Sequence, residues 1–176
     1  MVRVSHKRIT DLLVTADSGT TTTEKGQSFE ELICYIFNKV PGIIVTRRNQ
    51  QNVFRTEEID IAFWNDKYKN GFHFLPHIIL VECKNWSNVV GSIEVSWFYN
   101  KLRSRGIVFG ILIATNGITG DSGDLTAAHS IIARALSEGH QLIVINRNEI
   151  EQIISSEGIV RLIKEKLCDL AVKGTI

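Results

Sequence analysis

Apolar runs alternate with amphipathic segments along the second half of the chain. Residues 107–114 (IVFGILIA) and residues 141–145 (QLIVI) are almost entirely apolar, as expected for strands that are buried on both faces. Between them, a glycine-rich segment at 115–123 precedes a helical pattern at about 124–138. The glycine-rich segment lacks the spacing of the known phosphate-binding fingerprints, so we interpret it as a turn and helix N-cap. Strand–helix–strand order requires parallel crossovers, which predicts a sheet covered by helices.

An amphipathic helix is predicted from about residue 22 to a stop at Pro41 and Gly42. Its apolar positions recur at helical spacing and are Phe29, Leu32, Ile33, Ile36, Phe37 and Val40. At about 100° per residue, Glu30 lies at the border of this apolar stripe and Glu31 on the opposite, solvated side. An unpaired buried carboxylate is costly. Glu30 is therefore expected to meet a metal or a basic partner, the alternative being an ordinary boundary glutamate.

Two strand-like runs in the middle of the chain carry three charged residues. The first, EIDIAF, contains Asp60, and the second, IILVECK, ends with Glu82 and Lys84. Because successive side chains of a strand alternate between faces, Glu82 and Lys84 must share one face. The pair Asn70-Gly71 between the runs is typical of a tight turn and predicts an antiparallel hairpin. That hairpin would bring Asp60 beside Glu82 and Lys84.

Two carboxylates and one ammonium group in such an arrangement favour phosphodiester hydrolysis with a divalent metal. Mg²⁺ prefers oxygen ligands, and Asp60, Glu82 and the backbone carbonyl of Cys83 would supply them. The metal would acidify a bound water, and Lys84 would stabilise the hydroxide and the developing negative charge. Asp followed at a distance by Glu-x-Lys is a loose pattern. A surface hairpin with ordinary salt bridges is the alternative on these residues alone.

Basic residues at two places are candidate phosphate contacts. Residues 43–46 predict a strand that leads into a polar loop at 47–52, and the helix predicted at 93–103 ends in basic residues. Guanidinium and amide groups suit phosphates and base edges, although basic residues in a last helical turn also complement the helix dipole. The candidates are Arg47, Arg48, Arg55, Lys101 and Arg103.

Composition limits the class of protein further. With 176 residues, 44% of them hydrophobic, the chain can form one domain with a core; we expect residues 1–176 to do so, with the core at about 22–146 and C-terminal helices at about 147–172. No apolar run reaches the roughly 20 residues that span a bilayer, and the N-terminus does not resemble a signal peptide. Three widely spaced cysteines fit no disulfide framework. These features predict a cytoplasmic protein without a membrane partner. The net charge of +1 means that nucleic acid would be bound through local patches and metal.

These motifs together resemble the PD-(D/E)XK restriction-endonuclease-like nucleases, and within them the Mrr-type branch, over roughly residues 25–145. The segments that carry the resemblance are Lys25-Gly26-x-x-Phe29-Glu30, Glu58-Ile59-Asp60, Val81-Glu82-Cys83-Lys84-Asn85-Trp86, Val90 with the helix after it, and Ala114-Thr115-Asn116-Gly117. Ile59 replaces the proline that names the motif. The resemblance implies an α/β fold, a restriction-endonuclease-like three-layer α/β/α sandwich with a central mixed sheet. It also implies that Asp60 and Glu82 bind metal, that Lys84 positions the attacking water, and that Glu30 completes the acidic cluster.

The function implied is a Mg²⁺-dependent DNA endonuclease, with Mn²⁺ able to substitute, that serves restriction or defence against foreign DNA. Two alternatives stay open: a Holliday-junction resolvase or repair nuclease, and a non-catalytic nucleic-acid-binding module on the same fold. A resolvase would require a homodimer. Because the chain has no room for a separate target-recognition domain, a partner chain that supplies specificity also stays open.

Overall fold

Helices flank a five-stranded sheet in the structure, a computed structural model that describes residues 2–52, 56–120 and 127–176. The helices are α1 (His6–Ser18), α2 (Thr22–Phe37), α3 (Ser92–Ser104), α4 (Ala127–Ser137), α5 (Arg147–Glu151) and α6 (Ser156–Lys173). The strands are β1 (Ile43–Gln51), β2 (Glu58–Asn65), β3 (Ile78–Lys84), β4 (Phe109–Ala114) and β5 (Gln141–Ile145).

The sheet has the strand order β1-β2-β3-β4-β5 and is mixed, as predicted. β1, β2 and β3 pair antiparallel, whereas β3, β4 and β5 pair parallel through crossovers that contain α3 and α4. Every residue of β4 is buried, because the central parallel strand is covered on both faces. The fold is the α/β sandwich that the sequence predicts.

The two faces of the sheet can be told apart by the helices that cover them. On the α2 face, Phe37 stacks on Phe63 of β2 with ring centroids 5.0 Å apart. On the α3 face, α3 lies so close to β4 that a Cβ on Gly110 would be 2.6 Å from Leu102 Cδ1 and 2.9 Å from Phe98 Cζ. Glycine at position 110 therefore sets the distance between α3 and the sheet.

The N-terminus of α2 is fixed by capping. The Thr21 hydroxyl oxygen accepts a hydrogen bond from the Glu24 backbone N–H, and the Glu24 carboxylate accepts one from the Thr21 backbone N–H. This reciprocal pair is a capping box. The prediction that this helix begins at about residue 22 is confirmed. The predicted start of the later helix at about residue 124, and the end of the glycine-rich segment, lie outside the described residues.

Residues 47–51 form strand, so the predicted polar loop is wrong. β1 continues to Gln51 against β2, with a register shift between Val45 and Arg47. β1 is an edge strand, and its side chains beyond Ile43 are mostly exposed, so polar and charged residues are tolerated there. The hydrophilic composition of this segment correctly predicted that it contacts solvent. It wrongly predicted that the segment leaves the sheet.

The β2–β3 hairpin is confirmed, and Asn70-Gly71 lie in a tight turn of the connection, in which the Gly71 N–H donates to the Tyr68 carbonyl at 2.8 Å. The connection covers residues 66–77, and Lys67 rather than Asn70 takes a positive φ, of 59°. Asn65 is buried and its amide donates to the carbonyls of Phe72 and Pro76, at 2.8 and 3.0 Å. The side-chain hydrogen bonds of Asn65 thus stabilise the connection together with the tight turn.

Helix α1 and the tail complete the layers. Ile9, Leu12, Leu13 and Ala16 of α1 are buried, and α1 packs against α2. The tail forms two helices, α5 and α6, in the region where C-terminal helices were predicted. In the three described ranges, we find no helix with the length and apolar character needed to cross a membrane.

Candidate active site

Asp60 and Glu82 lie on neighbouring strands and on the same face of the sheet. The β2–β3 register pairs Ala62 with Leu80, and side chains two residues apart on a strand share a face. Asp60 is two residues from Ala62, and Glu82 is two residues from Leu80. Both carboxylates therefore belong to the α3 face, and so does the ammonium group of Lys84, which is two residues beyond Glu82. This is the relative orientation that the sequence predicts.

The Asp60 side chain bridges the two strands where their backbone pairing stops. The β2–β3 ladder ends at Ile61 and Val81, and beyond it the Cys83 backbone N–H donates to Asp60 Oδ2 at 2.7 Å. The carboxylate replaces the missing main-chain acceptor and is held in a fixed place by that bond. Since the N–H and C=O of one strand residue point to the same side, the Cys83 carbonyl also points toward β2.

Glu82 is the centre of a buried charge cluster. Its side chain is 7% exposed, and its two oxygens contact different ammonium groups: Lys84 Nζ lies 2.9 Å from Oε1, and Lys101 Nζ lies 2.7 Å from Oε2. The two lysines are themselves largely covered. A carboxylate that is so far removed from water needs this compensation.

Burial and charge shift the pKa values of the cluster. Burial, reinforced by the negative charge of Glu82, raises the pKa of Asp60 to about 6, even though the Cys83 N–H and the ammonium groups of Lys84 and Lys101 oppose the shift. For Lys84, burial would lower the pKa, but the adjacent Glu82 carboxylate outweighs it, and the net pKa is raised. Lys84 therefore keeps its positive charge at neutral pH. The positive charges around Asp60 do not fully compensate its burial and the negative charge of Glu82, which is why the pKa of Asp60 is raised.

The donor chemistry fits a hard divalent cation. Asp60 and Glu82 offer carboxylate oxygens on one face, and the Cys83 carbonyl points toward the same strand gap. Within residues 2–52, 56–120 and 127–176, no set of three or more His, Cys, Asp or Glu side chains is arranged to hold a metal ion. Two protein carboxylates suffice for Mg²⁺, because this ion usually keeps several waters and takes further oxygens from substrate phosphates.

The Cys83 thiol faces away from the cluster. It alternates with Glu82 and Lys84 along β3 and packs against the apolar core on the α2 face. Burial, together with the charge of Asp60, raises the pKa of this thiol well above its ordinary value. A thiol held in its neutral form is a poor nucleophile.

Glu30 lies on the α2 face, where the structure does not bring it into contact with the cluster. Glu30 is buried, with 7% of its surface exposed, and Arg48 Nη2 lies 3.4 Å from Glu30 Oε2. Burial raises the pKa of Glu30, while hydrogen bonds from Asn49 and Arg48 oppose the rise. Glu31 is exposed and pairs with Arg8 at 3.1 Å. The predicted contrast between the two glutamates in burial is confirmed, and the basic partner of Glu30 is Arg48. A catalytic role for Glu30 stays a prediction.

The five candidate phosphate contacts have different surroundings. Lys101 belongs to the Glu82 cluster, and Arg48 is bound to Glu30 and to the Gln27 carbonyl. Arg47 is exposed on β1 and donates to the Thr46 carbonyl, and Arg103 is 58% exposed with its nearest carboxylate at 3.7 Å. Arg55 lies outside the described residues. DNA contact by any of the five stays a prediction.

An open cleft of about 530 Å³ leads to the cluster. Asp60, Glu82 and Lys84 line it, and so do residues that the sequence analysis did not assign to the site, namely Thr56, Glu57, Glu58, Trp97 and Asn100. The sequence does contain a signal for part of this wall, because residues 97, 100 and 101 are spaced for one face of α3. At the mouth of the cleft, Arg105 Nη2 lies 2.7 Å from Glu57 Oε2.

Comparison with known proteins agrees with this geometry. The family model for the restriction endonuclease domain Mrr_cat matches residues 21–154, which include α2, the whole sheet and the charge cluster. No curated protein matches the chain closely enough to count as a relative. The family match covers well over half of the chain, and the protein therefore belongs to the Mrr_cat family of restriction endonucleases.

Proposed function

We propose that the chain is a metal-dependent DNA endonuclease whose hydrolytic centre is formed by Asp60, Glu82 and Lys84, and that it acts in defence against foreign DNA. One observation carries the proposal. In a member of a restriction endonuclease family, two carboxylates from adjacent strands share a face with an ammonium group that is held 2.9 Å from one of them. The description of the family as restriction endonucleases supports the proposed defence role.

Asp60 and Glu82 hold the cation in this proposal, with the Cys83 carbonyl as a further oxygen. When bound, Mg²⁺, or Mn²⁺ in its place, would lower the pKa of a water and place a positive charge next to the phosphate. Asp60 is well suited to the task, because the burial that raises its pKa to about 6 also makes a nearby cation favourable.

Lys84 acts through its charge and not as a base. Glu82 raises the pKa of Lys84, so the ammonium group stays protonated during the reaction. The water oxygen bonds to phosphorus and loses a proton to solvent, while the bond from phosphorus to the leaving sugar oxygen breaks and that oxygen takes a proton from solvent. Its positive charge is in place before negative charge develops on the phosphate oxygens, which stabilises the transition state more than the ground state. The contact with Glu82 fixes the direction in which the ammonium group points.

Nuclease assays with varied substrate and metal test the proposal. The purified protein is incubated with supercoiled plasmid, linear duplex, a four-way junction, single-stranded DNA and RNA, each with Mg²⁺, Mn²⁺, Ca²⁺ or chelator. We expect cleavage of DNA with Mg²⁺ or Mn²⁺ and none with chelator. Ca²⁺ should support binding with little turnover, since its geometry is looser.

A matched pair of variants separates this protein's activity from a contaminating nuclease. Glu82→Gln removes a metal-binding carboxylate from the centre, whereas Glu31→Gln changes an exposed glutamate that pairs with Arg8. The first should lose cleavage and the second should keep it. Strong preference for the four-way junction would assign the chain to the resolvases. DNA binding without cleavage under every metal condition would identify a non-catalytic module and overturn the proposal.

A further inference from the structure

The three tryptophans of the chain differ in what their rings contact. Trp64 stacks on His77 with centroids 5.1 Å apart, and its indole N–H donates to Asp66. Trp86 lies 5.4 Å from the Lys84 ammonium group. Trp97 is 67% exposed. Within the part of the chain that the structure describes, its ring has no aromatic, cation–π or hydrogen-bonding partner.

Trp97 lies in the wall of the cleft that contains the charge cluster. It is one helical turn before Lys101, whose ammonium group contacts Glu82 at 2.7 Å, and Asn100 lies between them on the same wall. The position is therefore fixed relative to the reactive centre by a regular helix and by an ion pair. An exposed indole at such a place has an energetic cost in water, because a large apolar surface remains solvated.

The charges of the cleft do not by themselves attract a phosphate backbone. Its described wall carries the carboxylates of Glu57, Glu58, Asp60 and Glu82 and the ammonium groups of Lys84 and Lys101, and Arg105 pairs with Glu57 at 2.7 Å. A bound divalent cation would offset the remaining negative charge and leave the cleft with little net charge. Stacking on an aromatic ring would then add affinity for DNA that does not come from charge.

We propose that Trp97 is a stacking platform for an unpaired nucleobase next to the scissile phosphate, and that the preferred substrate is DNA with an unpaired or unstacked nucleotide at the cleavage position. The inference rests on the proposed nuclease function and names the substrate class of the same site. In a regular duplex, both faces of a base are covered by its neighbours. A base must therefore leave the stack, or lack a partner, before its face can lie on an indole ring.

A second protein molecule is a less suitable occupant for this surface. Trp97 shares its cleft with Asp60, Glu82 and Lys84, so a protein surface seated on the ring would cover the groups that must reach a phosphodiester. A nucleobase has the opposite effect, because stacking on Trp97 brings its own sugar and phosphates to the cluster. The location of the ring thus favours nucleic acid.

Binding without turnover tests the inference. Fluorescein-labelled DNA is titrated in Ca²⁺ as a fully paired duplex and as the same duplex with a two-nucleotide bulge that contains 2-aminopurine. We expect the wild type to prefer the bulged DNA, and Trp97→Ala to lose roughly 5- to 100-fold in affinity for it, the effect of removing one base–aromatic stack. The affinity for the paired duplex should change little. Trp97→Phe, which keeps an aromatic face, should retain most of the preference.

The fluorescence of 2-aminopurine reports stacking directly and would not respond to a merely structural role. It should be quenched on binding to the wild type and to Trp97→Phe but not to Trp97→Ala. Trp64→Ala is the control, because Trp64 is internally stacked and absent from the cleft wall. The inference is overturned if the wild type binds paired and bulged DNA equally, or if Trp97→Ala keeps the wild-type preference and quenching. In either case, cleavage of duplex DNA would leave the nuclease assignment intact. Absence of both binding and cleavage with every DNA overturns the two together.

Discussion

Lys101 Nζ lies 2.7 Å from Glu82 Oε2, and this contact joins α3 to β3 inside the charge cluster. Lys84 occupies the other oxygen at 2.9 Å, so both oxygens of Glu82 carry an ammonium partner. The basic end of α3 was expected to meet phosphates, yet this lysine supplies an internal counter-charge at the position where a cation would bind. In the proposed centre, Lys101 and a metal would therefore compete for the same carboxylate.

Replacing Lys101 by methionine should strengthen metal binding. Two unit charges about 4 Å apart interact by about 1 kcal/mol in bulk water and by more in a buried cluster, so we expect Mg²⁺ or Mn²⁺ to bind at least roughly 5-fold more tightly. Calorimetric titration without DNA measures this directly. Lys166→Met is a matched control, since that ammonium group pairs with Glu149 at 2.6 Å far along the chain. Unchanged or weaker metal binding in Lys101→Met alone would show that the two cations do not compete.

Asp60 should make the metal-free protein less stable as the pH rises. Its pKa is raised to about 6 in the folded state. As the pH rises, the unfolded chain therefore loses this proton at a lower pH than the folded protein does. Between about pH 4 and pH 6 the folded state binds more protons, and the free energy of unfolding falls as the pH increases. The loss is complete above about pH 6 and absent below about pH 4.

The variant Asp60→Asn tests this pH dependence. It removes the charge but keeps an oxygen that can accept from the Cys83 N–H, and we expect it to be more stable than the wild type by about 1–3 kcal/mol at pH 8, with little difference at pH 4. Urea unfolding in chelator measures both. Asp11→Asn, at an exposed position of α1, controls for a general effect of charge. A wild type that is the more stable of the two at pH 8 would contradict the assignment.

Arg48 should stabilise the fold through Glu30. The Glu30 side chain is 10% exposed, and loss of its partner leaves a buried carboxylate without its guanidinium. We expect Arg48→Ala to lower the free energy of unfolding by about 1–3 kcal/mol and Glu30→Gln to recover part of that loss in the double variant. The exposed pair Arg8 and Glu31 should show a coupling below about 1 kcal/mol. Strictly additive effects of the Arg48 and Glu30 changes would mean that the pair does not interact.

Local patterns predicted much of the fold because they depend on local physics. The continuous apolar run at 141–145 matches β5 residue for residue, and the alternation along β3 placed Glu82 with Lys84. Helical spacing in α2 separated a buried Glu30 from an exposed Glu31. In each case the burial of apolar side chains determines the local structure, and the spacing of apolar residues in the sequence predicts that burial.

The partners of these charges could not be predicted in the same way. Arg48 faces α2 because the register of β1 shifts between Val45 and Arg47, and a bulge of this kind reverses which residues point to a face. Lys101 reaches Glu82 because Gly110 lets α3 approach the sheet closely. Both contacts depend on packing between segments that are distant in sequence. A local sequence pattern cannot predict such packing.

The rate at which Lys84→Met cleaves DNA in a single turnover tests the central claim most directly. Lys84 is proposed to stabilise charge in the transition state, so its loss should slow cleavage by about 10²- to 10³-fold at saturating Mg²⁺, while DNA affinity in Ca²⁺ stays close to that of the wild type. Lys69→Met, at an exposed position in the β2–β3 connection, should cleave normally. If Lys84→Met instead cuts at nearly the wild-type rate and is only less stable to heat, the lysine is a structural partner of Glu82 and the proposed hydrolytic centre is wrong.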